Sequence, residues 1–385
     1  MKILHTADLH LGRYFAGHSL HDDHDAILAQ ILKAIADHRP DVLIIAGDIF
    51  DRAAPPETAV GQFNGFMRNV VDDGRTAIVL IAGNHDSGER IGAMAMLADG
   101  KRTLVRGSLS AREPTLIVTD AAGPVAFSAL PFGFEFAARA CFDDPEIKAP
   151  ADVLRAQVAS ARTRVPDGAR WVIAAHAFVD GGAGSDSERP LTRTAGGIET
   201  VPADVFDGAH YVALGHLHRA QQVGAPHIRY AGSPLAFGFD EAGQQKSMTL
   251  VDLGEDGRVE VALIPFQPLR GVRTLRGRLD ELLADGTPPS NDFVQFELTD
   301  PHRLIDPMKR LRDRFPNACG LVYAALERKP AEAAGGVPST EPETPADVVG
   351  AFLNAVRQSG PTEAEQAILD GALADVASRA GDGLA

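Results

Sequence analysis

Only two cysteines, Cys141 and Cys319, stand in the 385 residues, far apart and without CxxC spacing. That excludes a disulfide framework and a cysteine-type zinc site, since both need paired or clustered thiols. Both read as ordinary small apolar side chains. No apolar run approaches the ~20 residues of a membrane span. The first residues, Lys2-Ile3-Leu4, lead at once into polar ones rather than into a signal-peptide core. A cytoplasmic protein without membrane contact is expected. HExxH, GxSxG and GxGxxG are all missing, and Gly100-Lys101 lacks the rest of a phosphate-binding loop. These absences remove zincin, serine-hydrolase, dinucleotide-binding and P-loop ATPase chemistry. Basic charge is scarce as well, with 37 Lys and Arg against 52 Asp and Glu for a formal net charge of −15. The sign opposes binding of nucleic acid by charge alone. Residues 331–385 account for −7 of it and residues 1–330 for −8. Acids that ligate a metal also lose their charge to it, so net charge does not settle whether DNA is a ligand.

What is present describes an ordinary globular chain, 45% hydrophobic and 23% charged, yet too long for one average domain. Short apolar runs rich in β-branched residues alternate with segments of helical periodicity, the pattern of an α/β fold. Strands are expected at Lys2 to Ala7, Asp41 to Ala46, Ala77 to Ala82, Trp171 to Ala175 and Tyr211 to Leu214. Their unbroken apolarity indicates cover on both faces. Ile27, Leu28, Ile31, Leu32 and Ile35 form one helical stripe, and Val60, Phe63, Met67, Val70 and Val71 another that Gly74 closes. We read residues 1–268 as the main domain and residues 269–329 as a small α+β unit. The small unit rests on the stripe Leu304, Met308, Leu311, Phe315 between strand-like segments Phe293 to Leu298 and Leu321 to Leu326. Residues 330–345, with Pro330, Pro338, Pro342 and Pro345, read as a linker. Residues 346–385 follow as a helical pair with the stripes Val348, Val349, Phe352, Val356 and Ile368, Leu369, Leu373, Val376.

Chemistry gathers where the strands end, in Asp8-Leu9-His10, Gly47-Asp48-Ile49-Phe50-Asp51, Gly83-Asn84-His85-Asp86, His176 and Gly215-His216-Leu217-His218. Carboxyl ends of strands in α/β sheets converge on one edge, so these remote groups can share a pocket. Carboxylate, amide carbonyl and imidazole suit manganese, iron or zinc, and no soft thiolate is offered. Seven donors, Asp8, His10, Asp48, Asn84, His176, His216 and His218, exceed what one tetrahedral ion uses. A carboxylate can bridge two ions about 3.5–4 Å apart. The glycines before Asp48, Asn84 and His216 fit tight turns with close backbone approach.

The order DxH, GDxxD, GNHD, lone His, GHxH resembles the calcineurin-like metallophosphoesterase superfamily. Within it, HTADLHLGR, IAGDIFDR, GNHDS, ALGHLHRAQ and AGSPLAFGFDE, spread from His5 to Glu241, resemble the SbcD family of nuclease subunits. One departure, Ala220 where relatives often carry Pro, touches no donor. The resemblance implies a four-layer α/β/β/α sandwich with a small capping domain. It implies two divalent ions, most often manganese. One would be held by Asp8, His10, Asp48 and His218, the other by Asp48, Asn84, His176 and His216, with Asp48 bridging. It further implies His85 as the catalytic group at the leaving oxygen, with Asp86 or another acid orienting its ring.

The implied function is exonuclease and endonuclease action on DNA ends, hairpins and single strands in DNA repair and recombination. The implied partner is SbcC, an SMC-like ATPase docked through residues 346–385, and a homodimer through Ile49 to Phe66 is also implied. A metallophosphatase acting on small phosphoesters or nucleotides would share every ligand, and a silent scaffold subunit would have lost some. Asp51 is expected to support the ligands, and Arg13 and Arg52 to touch phosphate. His5 is expected inside the core, with His18, His21, His24, His38, His210, His227 and His302 at the surface or in packing.

Overall fold

The computed structural model describes residues 1–97, 101–188, 193–194, 197–198, 200–284, 288–324, 361–362 and 364–372. Two six-stranded sheets dominate it. In the first, Lys2–Thr6, Val42–Ala46, Ala77–Ile81 and Thr103–Arg106 run parallel in that order. Ser247–Leu253 and Val259–Pro265 extend the other side of Lys2–Thr6 as antiparallel strands. In the second, Gly123–Leu130, Arg170–His176, Tyr211–Gly215 and Ala225–Tyr230 are parallel, with Thr115–Asp120 and Gln221–Val223 antiparallel at the edges. All five of these expected strands are present, with no end shifted by more than one residue.

Alternate side chains divide each parallel strand between two interiors, as a period of two requires. Ile3, Val42, Ile44, Val79 and Ile81 meet Val125, Phe127, Val172, Ala174 and Tyr211 between the sheets. Leu4, Leu43, Ile45, Ile78 and Leu80 face outward beneath the helices His21–His38 and Glu57–Asp73. Trp171, Ile173, Val212 and Leu214 face the helix Pro150–Arg162 on the far side. The result is four layers, helix, sheet, sheet, helix, built because each central strand is apolar on both faces. Helix Glu57–Asp73 ends at Gly74 in the left-handed region, φ 67°, where a residue without Cβ carries no strain. Of its sequence stripe, Phe63 and Val70 are buried, while Val71 is 58% exposed.

Residues 272–323 have their own core, in which Leu279, Leu282, Val294, Phe296, Leu311 and Phe315 pack together. Its strands Val272–Gly277, Phe293–Leu298 and Ala318–Tyr323 are all parallel, with helices Leu279–Leu283 and Pro307–Arg312 in the connections. The last strand lies three residues earlier than the apolar run suggested. Before this unit, Arg270 Nε donates to Asp23 at 3.1 and 3.2 Å, and its guanidinium lies 4.5 Å over the Phe293 ring. Phe293 in turn packs 4.9 Å from Phe15, in the small hairpin that follows the first motif block.

Residues Met1–Leu326 and Glu327–Ala385 form separate units. In the second, residues 364–372 are helical behind a capping box in which Thr362 and Glu365 exchange hydrogen bonds. Ile368 is 73% exposed there. The expected linker, the first terminal stripe, Leu373 and Val376 lie outside the described residues.

Phe63, 1% exposed and 5.6 Å from Phe50 ring to ring, anchors its helix. Phe63→Ala is expected to cost about 3–5 kcal/mol in denaturant unfolding, and Val71→Ala less than about 0.5 kcal/mol. Equal losses would contradict this assignment of the packed face.

Candidate metal centre

The carboxyl ends of both parallel strand sets reach the same edge, and the backbone there departs from ordinary conformations. Asp8, His10, Asp48 and His216 all have positive φ, at 54°, 46°, 49° and 107°. Non-glycine residues seldom adopt such values, and they concentrate where function over-determines the backbone. Gly47 shares the feature at φ 90°, and a Cβ on it would lie 2.4 Å from His176 Nδ1. At Gly83 and Gly215 the requirement is space. A Cβ would meet Asp48 Oδ1 at 2.2 Å or the Ala46 carbonyl oxygen at 1.9 Å.

The seven donors and His85, dispersed over 211 positions from Asp8 to His218, come together in this space. Asp8, His10 and Asp48 offer atoms within 4.8 Å of one another, as do Asp48, His176 and His216, so the two groups share Asp48. His176 Nε2 and His216 Nδ1 face Asn84 Oδ1 at 2.9 and 3.2 Å. His218 Nε2 lies 3.2 Å from His10 Nε2. Asp8 accepts from the His216 amide at 2.9 Å, and Asp48 Oδ1 from the His85 amide at 2.8 Å. His176 Nδ1 donates to the Ala46 carbonyl at 2.9 Å, which turns its Nε2 inward toward Asp48. Such an outer bond is how ligating imidazoles are oriented.

These contacts pose a problem that protein groups alone leave open. His10 Nε2 and His218 Nε2 face each other, and two ring nitrogens converge on the single acceptor Asn84 Oδ1. Burial holds His10 and His216 well below the usual imidazole range, and burial raises Asp8. Burial also opposes charge on Asp48, yet His176 beside it holds the carboxyl well down. Burial lowers His176 as well, but Asp48 overrides it and holds the imidazole up at about 9. A buried cluster of carboxylates, an amide oxygen and imidazoles fits a divalent cation, whose charge would take the place of the proton that His176 otherwise holds beside Asp48.

Other expectations resolve individually. Asp51 approaches His10 Nδ1 and Arg13 Nη1 at 3.8 and 3.4 Å, and its carbonyl accepts from His85 Nδ1 at 2.8 Å. Asp86 does not orient His85. Its carboxylate instead accepts from the amides of Ile49, Phe50 and Gly83 at 3.1, 2.9 and 2.9 Å, tying the Asp48 and Asn84 loops together. Arg13 is fixed by Asp51, by the Ser187 carbonyl at 3.2 Å and by the Phe237 ring at 4.6 Å. Arg52 stands in an adjacent pocket of about 260 Å³ with Tyr14, Ser19 and His21. His5 bridges the sheets through Tyr211 and the Leu214 carbonyl at 2.9 and 3.1 Å. His24 is buried in packing. Not anticipated were Ser187, Glu188, Glu241 and Lys246, which surround His218. The acid of the AGSPLAFGFDE segment was their only sequence signal. An apolar pocket of about 540 Å³ lined by Met67, Val71, Met94 and Val105 contributes none of the site residues.

The calcineurin-like phosphoesterase family profile matches residues 1–220, more than half of the chain and all five blocks. The chain belongs to the calcineurin-like phosphoesterase family. It is therefore a hydrolase of phosphoesters in a family that works through divalent metals. A second profile, the type 5 capsule protein repressor C-terminal domain, matches residues 265–357. The SbcD subunit of the SbcCD nuclease from Staphylococcus epidermidis is 29% identical over 323 residues, 83% of this chain and 85% of that protein. Among solved structures, a dimetal phosphatase from Danio rerio is 13% identical, covering 69% of this chain and 99% of its own with a TM-score of 0.42. A Thermus thermophilus protein is 15% identical, covering 68% and 98% with a TM-score of 0.39. Among the described residues no helix is long and apolar enough to cross a membrane.

Gly83→Ala places its methyl against Asp48 and is expected to lower bound metal and phosphodiester hydrolysis together. Gly61→Ala, with nothing within 4 Å, should leave both unchanged. Metal content after dialysis reads the difference, and a Gly83→Ala protein with full metal would contradict the steric argument.

Proposed function

We propose that this chain is a DNA nuclease using two divalent ions, manganese foremost. The observation that carries the reading is the pair of donor groups sharing Asp48, in a chain alike over most of its length to a nuclease subunit. Asp8, His10, Asp48 and His218 would hold one ion and Asp48, Asn84, His176 and His216 the other. When bound, the pair supplies Lewis acidity toward a phosphoryl oxygen and the attacking water. The chain's own part is positioning. Asp86 fixes the loops that carry Asp48 and Asn84, and burial excludes bulk water from the donors. With its Nδ1 bonded to the Asp51 carbonyl, His85 has Nε2 left to hold a proton for the leaving oxygen. Arg13 and Arg52, which follow the His10 and Asp51 blocks, would meet phosphates flanking the cleaved bond.

The remaining assignments rest on likeness to the same nuclease subunit. The enzyme works in the cytoplasm, at the nucleoid, on duplex ends, hairpins and single strands in repair and recombination. It pairs with a second copy of itself and with an SMC-like ATPase that residues 346–385 engage. Removing residues 346–385 is expected to abolish co-purification with that ATPase while leaving manganese-dependent hydrolysis of a small diester intact. Unchanged co-purification would remove the docking role.

The substrate is tested by comparing labelled linear duplex with a small chromogenic diester, each with manganese, magnesium or chelator. Cleavage of both, abolished by chelator, is expected. Diester hydrolysis with DNA untouched, even with the ATPase and ATP, would favour a phosphatase. His85→Ala should keep both metals and lose DNA cleavage by about 10²–10⁴-fold. Full cleavage would remove His85 from the chemistry.

A further inference from the structure

The imidazoles on the two sides of Asp48 are held by different kinds of support. His176 is part of a central strand, and its Nδ1 is fixed by the Ala46 carbonyl of the facing sheet. Nothing outside the two sheets is needed to aim it. His218 lies past its strand, and side chains from two other segments hold it. Its Nδ1 meets Ser187 Oγ at 2.6 Å and Glu241 Oε1 at 3.3 Å, and its amide donates to Glu188 Oε1 at 2.6 Å. Its carbonyl accepts from Lys246 Nζ at 2.8 Å. The Ser187 hydroxyl and the Lys246 ammonium also bond the two oxygens of Glu241.

The order of donors follows from the carboxylate, which only accepts. Ser187 O–H donates to Glu241, so its oxygen is free to accept from His218 Nδ1–H. That fixes the tautomer and leaves His218 Nε2 with its lone pair toward His10 and the donor cluster. Glu241 is fully buried and Lys246 nearly so. A buried ion pair of this kind gives little net stability compared with apolar side chains of the same size. Its position against a single imidazole is better explained by what it does to that imidazole. Ser187 and Glu188 belong to one loop, which is tied down further by Arg13 on the Ser187 carbonyl at 3.2 Å and by Asp240 on the Asp186 amide at 2.8 Å.

We propose that Glu241, acting through Ser187, is a positioning residue for His218, and that the two halves of the metal centre are unequally preorganised. In the half built on Asn84, His176 and His216, His176 is aimed from within the sheets, Asn84 sits on a loop that Asp86 ties to the Asp48 loop, and His216 meets Asn84. The half built on Asp8, His10 and His218 reaches full affinity only while the Ser185–Glu188 loop is seated against Glu241. The inference rests on the two-metal reading above. It adds an order of filling, and a route by which anything that lifts this loop would empty one half alone.

The test is calorimetric titration of the metal-free full chain with manganese, for the native protein, Ser187→Ala and Glu241→Gln, with melting in chelator alongside. Ser187→Ala leaves the Glu241–Lys246 pair in place and is expected to melt like the native protein, which covers the case of a Glu241→Gln chain that does not fold. The native protein should take two equivalents. Both variants should keep the first binding event and weaken the second by about 10–100-fold, with diester hydrolysis recovering at high manganese. Two undisturbed events in Ser187→Ala would overturn the inference and leave the two-metal reading standing. Equal weakening of both, with a lowered melting point, would assign Ser187 to folding and overturn it as well. A native protein that takes fewer than two equivalents would fail the two-metal reading itself, and the inference with it.

Discussion

The carbonyl oxygen of Ala46 joins the two sheets at the edge that carries the site, and the site depends on that contact. It accepts from His176 Nδ1 of the opposite sheet at 2.9 Å. It also stands where any Cβ at position 215 would lie, 1.9 Å away. Gly47 and Gly83 are confined by the same closeness. With side chains at these three places the sheets would be pushed apart at the edge where Asp48, Asn84 and His216 emerge. Apolar packing of Ile44, Val79, Val172 and Ala174 deeper in the sandwich supplies the force that holds the edges together, and the glycines let that force bring the donors within reach.

Closeness has an electrostatic consequence. Two donor carboxylates and four donor imidazoles are buried at this edge, with His85 beside them, and removing such groups from water is costly unless each finds a counter-charge or hydrogen bond. The protein meets part of the need with backbone amides, as at Asp8 and Asp48, and with the charge shared between Asp48 and His176. The ring nitrogens of His10 and His218 that face each other, and those of His176 and His216 that converge on Asn84 Oδ1, mark what is left over. Divalent cations, which the family uses, would satisfy that remainder. The strained backbone at Asp8, His10, Asp48 and His216 is stored at this site and offset by packing elsewhere.

Much of this was legible in the chain. Central strands such as Val42–Ala46 and Tyr211–Gly215 are buried at every position, so they read as unbroken apolar runs, and the donors follow each run directly. Thr115–Asp120 and Val259–Pro265 were not legible, because as edge strands they are half exposed and mix polar with apolar residues. Nor was the surround of His218. Ser187 lies 31 positions from it and Glu241 lies 23, on segments with no periodicity of their own, so only the fold brings them together. Asp86 shows the opposite limit. Adjacency to His85 suggested a partnership, whereas its carboxylate reaches back to amides 36 and 37 positions earlier.

The central claim is that Asp48 lies between two bound cations. Anomalous X-ray diffraction from crystals grown with manganese tests it directly. The account predicts two manganese peaks, one on each side of the Asp48 carboxylate and about 3.5–4 Å apart. One of them should lie against Asn84, His176 and His216, and the other against Asp8, His10 and His218. A single peak, or two that do not share Asp48, would contradict it.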